Sequence, residues 1–124
     1  MSIRIESGLN ALGFAIDAAD EVADRDAVAA MTVNALKIKR DWQEPLKGSE
    51  SLPGGAASVT YDVKKRRGSA EAEIGPELRG QGPLVGMLEY GTPNTGPRGY
   101  GAEALRKNVE DLERGLSAAV GDAL

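Results

Sequence analysis

Residues 83–92, PLVGMLEYGT, carry their own start and stop signals and so constrain the fold more than any other stretch. Pro83 suits the first turn of a helix, where an N–H would have no partner. Gly91 suits the position just past a helix end, where the backbone turns left-handed. Between them Leu84, Met87 and Leu88 recur at helical spacing. The expectation is a short buried helix that ends abruptly and hands Glu89, Tyr90, Gly91 and Thr92 to a loop. A run this short also fits a strand, but the Pro and Gly brackets favour helix. The Pro/Gly-rich phrase PNTGPRGYG follows and then gives way to a second helical pattern.

Earlier in the chain, MSIRIES reads as a short strand with Ile3 and Ile5 on one side, and Ser7 is placed to cap a helix. From Leu9, apolar residues recur at Leu12, Ile16, Ala19, Ala23, Ala27, Met31, Ala35 and Ile38, which predicts one helix to about Arg40. Its other face carries Asp17, Asp20, Glu21, Asp24 and Asp26 beside Arg25. Such a helix would be roughly 45–50 Å long, whereas a domain of this length is about 35 Å across. It therefore overhangs its domain and needs a neighbour, or it breaks near Gly13 or in the Asp-rich middle.

Residues 41–57 contain Pro45, Gly48, Pro53, Gly54 and Gly55 and read as a long loop, with Trp42, the only Trp, sealing the end of the first helix. Val59, Tyr61 and Val63 alternate over residues 58–64, and Ala70, Ala72 and Ile74 alternate over 69–75. These predict two half-buried strands with KKRRGS as the hairpin tip and Pro76 as the stop. Residues 77–82 read as a polar connector. Ala102, Leu105, Val109, Leu112, Leu116 and Ala119 predict a closing helix to about Val120. The expected fold class is α+β, one domain over residues 1–124: a long N-terminal helix, a small antiparallel β-sheet, a short helix and a C-terminal helix packed on the sheet.

The phrase LEYGT, the Pro/Gly-rich loop and the last amphipathic helix resemble the tail-completion family of siphophages, the small head–tail joining or neck proteins. The Ala-rich first helix and the phrase SVTYDV…AEAEIGPELRGQGPL fit the same layout, so the resemblance covers about residues 9–120. The family's Pro-x-x-Thr-Gly phrase has only Pro45 and Lys47-Gly48 as a loose counterpart here. The resemblance implies a virion structural protein that joins the head connector to the tail tube as a ring subunit of six copies. Its implied partners are further copies of itself, a head-side connector or stopper protein, and a tail terminator or tail tube protein. It implies manufacture in the host cytoplasm and a place at the head–tail junction. Pro83, Leu88, Glu89, Gly91 and Thr92 form the motif. Tail terminator and minor tail protein are the nearest alternatives.

Composition narrows the chemistry. Of 51 apolar residues 18 are Ala, a modest core suited to close helix packing. The chain has no Cys and no His. That excludes disulfides, thiolate chemistry and Ser–His hydrolysis, and it removes the usual zinc ligands. No cofactor or metal is expected, and no enzyme activity. The net charge of −4 and pI near 4.9 have the wrong sign for binding nucleic acid over the whole surface. No run approaches the 18 apolar residues of a membrane span, and no apolar leader is visible.

Three local features invite chemistry. Lys64-Lys65-Arg66-Arg67 is the one basic concentration, suited to DNA phosphates in a lumen, to an acidic partner, or simply to solubility. From it comes a reading of another class, a small regulatory protein binding nucleic acid through the basic hairpin. Residues 94–101 precede a helix but lack the order of a phosphate loop, so Arg98 and Tyr100 read as partner contacts, with Tyr90 beside them. Glu89 has no second acid in a comparable setting. It would instead accept hydrogen bonds from loop N–H groups or pair with Arg98.

Overall fold

The computed structural model describes residues 2–7, 12–17, 25–66, 69–91 and 96–121, with side-chain surroundings for 28–64, 70–91 and 96–115. Two strands, β1 (Ser2–Ser7) and β2 (Leu12–Asp17), precede the helix α1 (Arg25–Gln43), which runs into a 3₁₀ turn at Glu44–Leu46. A single helical turn, α2 (Gly55–Ser58), leads into β3 (Val59–Arg66) and β4 (Ser69–Pro76). Then come α3 (Gly82–Tyr90) and α4 (Tyr100–Gly121). All strand pairs are antiparallel, in the order β1-β2-β4-β3. The architecture is α+β, with α1 and α4 stacked beside a small sheet.

The first helix is shorter than its periodicity implied. Leu12–Asp17 is a strand, and α1 starts only at Arg25. Leu12 and Ile16 are four residues apart, a spacing that a helix stripe and a strand alternation share; Phe14 between them fits only the strand pattern. Pairing decides the matter, because β2 has β1 on one side and β4 on the other, so its backbone groups are satisfied in both directions. At 19 residues α1 is about 28 Å long and no longer overhangs. Residues 18–24, with Ala19, Ala23 and most of the acidic patch, lie outside the described residues. The expected N-terminal strand is β1.

Register explains the core. Tyr61 pairs with Ile74 and Val63 with Ala72, so the inward positions of β3 and β4 coincide. Val59, Ala70, Ala72 and Ile74 are buried, while Tyr61 and Val63 are partly so. The small Ala70 and Ala72 leave room for α1 to lie on the strands, with Met31, Ala35, Ile38 and Trp42 wholly buried beneath it. Lys39 holds its ammonium 5.5 Å from the Tyr61 ring centre, an α1-to-β3 cation–π contact. Trp42 does seal the end of α1.

Residues 44–58 are less of a loop than expected. Leu46 and Leu52 anchor them in the core. Gln43 Nε2 donates to the carbonyls of Ala56 (2.9 Å) and Val59 (3.2 Å), tying the end of α1 to α2 and β3. The α1–α4 seam mixes apolar and polar contacts. Leu105 and Leu112 are buried, Asn108 Nδ2 donates to Asp41 Oδ2 (2.8 Å), and Lys37 pairs with Asp111 (3.6 Å). Ala102, expected on the buried face of α4, is exposed, and Gly101 and Ala104 take that side. Leu116 and Ala119 lie beyond the described side chains.

Ile38→Ala, which empties the centre of the α1 stripe, is expected to cost about 2–5 kcal/mol in urea unfolding. Leu78→Ala, at a side chain 80% exposed, should stay within ~0.5 kcal/mol.

Candidate interaction surface

α3 forms where its brackets imply, with Pro83 in the first turn and Gly91 at φ +83° just past the end. The Gly91 N–H closes the helix on the Met87 carbonyl at 2.8 Å. Its orientation reverses the expectation. The buried side is Gly82, Val85, Gly86 and Glu89, at steps of three and four, while Leu84 is 48% and Met87 51% exposed. Leu88 is partly buried and Tyr90 38% exposed. The helix was expected to be buried through Leu84, Met87 and Leu88. Small residues on the opposite face let the helix backbone approach the core, and its largest side chains are turned outward.

Glu89 holds this arrangement in place. It is 3% exposed, and its two oxygens accept the N–H groups of Gly101 (2.7 Å, Oε1) and Ala102 (3.0 Å, Oε2). Those are free donors in the first turn of α4, where a carboxylate meets both the unpaired N–H groups and the positive end of the helix dipole. Glu89 therefore caps a helix from twelve residues upstream. The expected loop N–H donors are thus N–H groups of the α4 start, and Glu89 makes no ion pair with Arg98. Two backbone bonds complete the clasp, from Arg98 N–H to the Leu88 carbonyl (2.8 Å) and from Gly99 N–H to the Glu89 carbonyl (3.2 Å).

Gly101 also lies flat on Trp42. A Cβ there would stand 2.7 Å from the indole ring, so no larger residue fits without displacing it. One short segment thus joins the end of α1, the end of α3 and the start of α4.

Outside the clasp, a groove of about 510 Å³ is lined by Leu52, Leu84, Met87, Leu88 and Tyr100, with Ser49, Ser51 and Arg98 contributing polar walls. The structure brings Arg98 and Tyr100 together here, and Tyr90 continues the exposed α3 stripe. The Tyr90 hydroxyl is held above its usual pKa, first by partial burial and then by the negative charge of Glu89. Thr92 lies outside the described residues. The contribution of the 49–52 segment was not foreseen, because nothing in its composition points toward α3.

The basic hairpin is elsewhere, and less of it is a turn than expected. Lys64, Lys65 and Arg66 belong to β3, and Arg67 lies outside the described residues. Lys64 is exposed and 3.9 Å from Asp62. Asp17, Ser69 and Arg66 share one row across β2, β4 and β3. Asp17 thus stands in the same row of the sheet as Arg66. Among the described residues, no cluster of three or more Asp and Glu is placed to hold a metal, and no helix is long and apolar enough to cross a membrane.

Glu89→Ala is expected to lower stability by about 2–3 kcal/mol, because two N–H groups at the α4 start, that of Gly101 buried, lose a charged acceptor; an unchanged denaturation midpoint would remove its capping role. Gly101→Ala should cost about 1–3 kcal/mol through overpacking against Trp42, whereas Gly96→Ala, in open space, should be near neutral. No family model, curated protein or solved structure matches the chain.

Proposed function

We propose that this chain is a structural subunit of a tailed-phage particle, joining the head connector to the tail tube as a tail-completion protein. The observation that carries the reading is the exposed apolar stripe of Leu84, Met87 and Tyr90 beside an apolar groove. It runs into the LEYGT phrase, to which Tyr90 belongs and on which the resemblance to neck proteins rests. A buried carboxylate and a Trp–Gly contact hold that segment rigid, which suits a docking face more than a flexible tail.

In the particle the expected form is a ring of six copies, in line with the six-fold symmetry of such tails. Its neighbours would be a head-side connector or stopper and a tail terminator or tube protein. Arg98, Tyr100 and Tyr90 supply the interface chemistry, being of the types enriched where interfaces carry their energy. Lys64–Arg67 would face a partner or the DNA in the lumen. The net charge of −4 weighs against the competing reading, a regulatory protein that grips nucleic acid through the hairpin. Tail terminator or minor tail protein remains the neighbouring reading within the particle.

Immunogold labelling of intact particles from the encoding phage tests the proposal. Label at the head–tail junction is the expected result. Label along the tail or at its tip would make the chain a minor tail protein. No label, with the epitope shown accessible in disrupted particles, would overturn a virion role. Reversing the charges of Lys64, Lys65, Arg66 and Arg67 should leave retention on nucleic acid nearly unchanged; its abolition would favour the regulatory reading.

A further inference from the structure

The exposed side of α3 has a charge layout that points to its occupant. Leu84, Met87 and Tyr90 recur every three residues along it, with Met87 in the middle. The 49–54 segment flanks the N-terminal half of the helix: the Gly54 N–H bonds Gln81 Oε1 at 2.6 Å, and Leu52 and Val85 both border Gly55. Arg98 flanks the C-terminal half, where its N–H bonds the Leu88 carbonyl. Glu50 stands exposed between Ser49 and Ser51, which line the groove with Arg98. Neither the Glu50 carboxylate nor the Arg98 guanidinium forms an ion pair with another described residue.

We propose that this face binds a second copy of the chain about a two-fold axis through the neighbourhood of Met87, with the two α3 helices antiparallel. A two-fold contact is self-complementary: if one residue meets another across it, the reverse contact also forms. Antiparallel α3 helices bring the C-terminal half of one against the N-terminal half of the other. Leu84 then packs on Tyr90 of the second copy, Met87 lies on its own counterpart, and Arg98 faces Glu50 of the second copy, twice. An apolar small molecule would use the stripe and leave both charges idle. A partner of a single charge would satisfy one and repel the other. A surface with the same two charges in reverse order uses both, and a second copy is such a surface.

The net charge of −4 opposes pairing at long range, so the Arg98–Glu50 contacts chiefly fix the register. The apolar stripe supplies the affinity. The pair goes beyond the ring reading: it is closed, it covers the stripe in the free protein, and it stands or falls separately from a place in the neck.

Light scattering on the purified full chain over a concentration series tests it. The expected result is a reversible dimer. Met87→Glu should render it monomeric while it still melts cooperatively, since the side chain is half exposed, with the melting temperature lowered at most to that of the dilute, dissociated native chain. Glu50→Arg and Arg98→Glu should each weaken the dimer by about tenfold, equivalent to ~1.4 kcal/mol, and the double variant should restore it, because the swapped charges meet again. A monomer at every concentration overturns the proposal, as does a dimer indifferent to Met87→Glu or one that the double variant fails to restore. A six-copy species in place of the dimer overturns it too. Gold at the head–tail junction together with a strictly monomeric free protein would leave the neck reading intact and remove the pair alone.

Discussion

The buried carboxylate of Glu89 is the contact on which the rest of the molecule depends. A carboxylate removed from water is costly unless its oxygens are bonded, and here the first turn of α4 supplies two N–H groups in the direction from which α3 arrives. The bond works in both directions. It gives α4 a cap that its own sequence lacks, since Gly99 and Tyr100 before and at the helix start carry no capping side chain. It also fixes where α3 ends and so which of its faces looks outward. Trp42 joins the same junction from α1 through its flat contact with Gly101. Three helices converge on one side chain and one ring.

From that constraint the unusual polarity of α3 follows. A helix held by its Glu must turn its Glu side inward, and the positions three, four and seven residues earlier turn with it. Those positions are Val85, Gly86 and Gly82. At Gly82 the backbone passes so close to the Glu77 carbonyl that a Cβ would collide with it. The helix is seated by small residues and an anion, and its bulky residues remain for other contacts. The apolar surface at Leu84 and Met87 is thus a consequence of how the clasp is built.

Much of this was legible in the residues. The alternation of Val59, Tyr61 and Val63 against Ala70, Ala72 and Ile74 describes the β3–β4 hairpin, and Pro83 and Gly91 bracket α3 to within a residue. The stripe Met31, Ala35, Ile38 marks the buried side of α1. Two readings failed for physical reasons. Leu12 and Ile16 obey both periods, and pairing on both sides, with β1 and the distant β4, selects the strand. In α3 the large apolar residues drew attention to the wrong face; the signal lay in the glycines and in Glu89, whose spacing traces the other side. The groove could not be foreseen at all, because Leu52 and Ser49 meet α3 only through tertiary packing.

The pairing of β2 with β4 also sets an order of events during synthesis. β1 and β2 leave the ribosome before the rest of this fold and can close on each other at once, but the other edge of β2 must wait for β4, roughly 60 residues later. At about 5–20 residues per second that interval is on the order of 3–12 s. Through it the nascent chain presents a strand edge with unpaired N–H and C=O groups, the kind of template on which chains join incorrectly. Completing the sheet is therefore a late step, and the N-terminal hairpin is the segment most exposed to a neighbouring nascent chain before it.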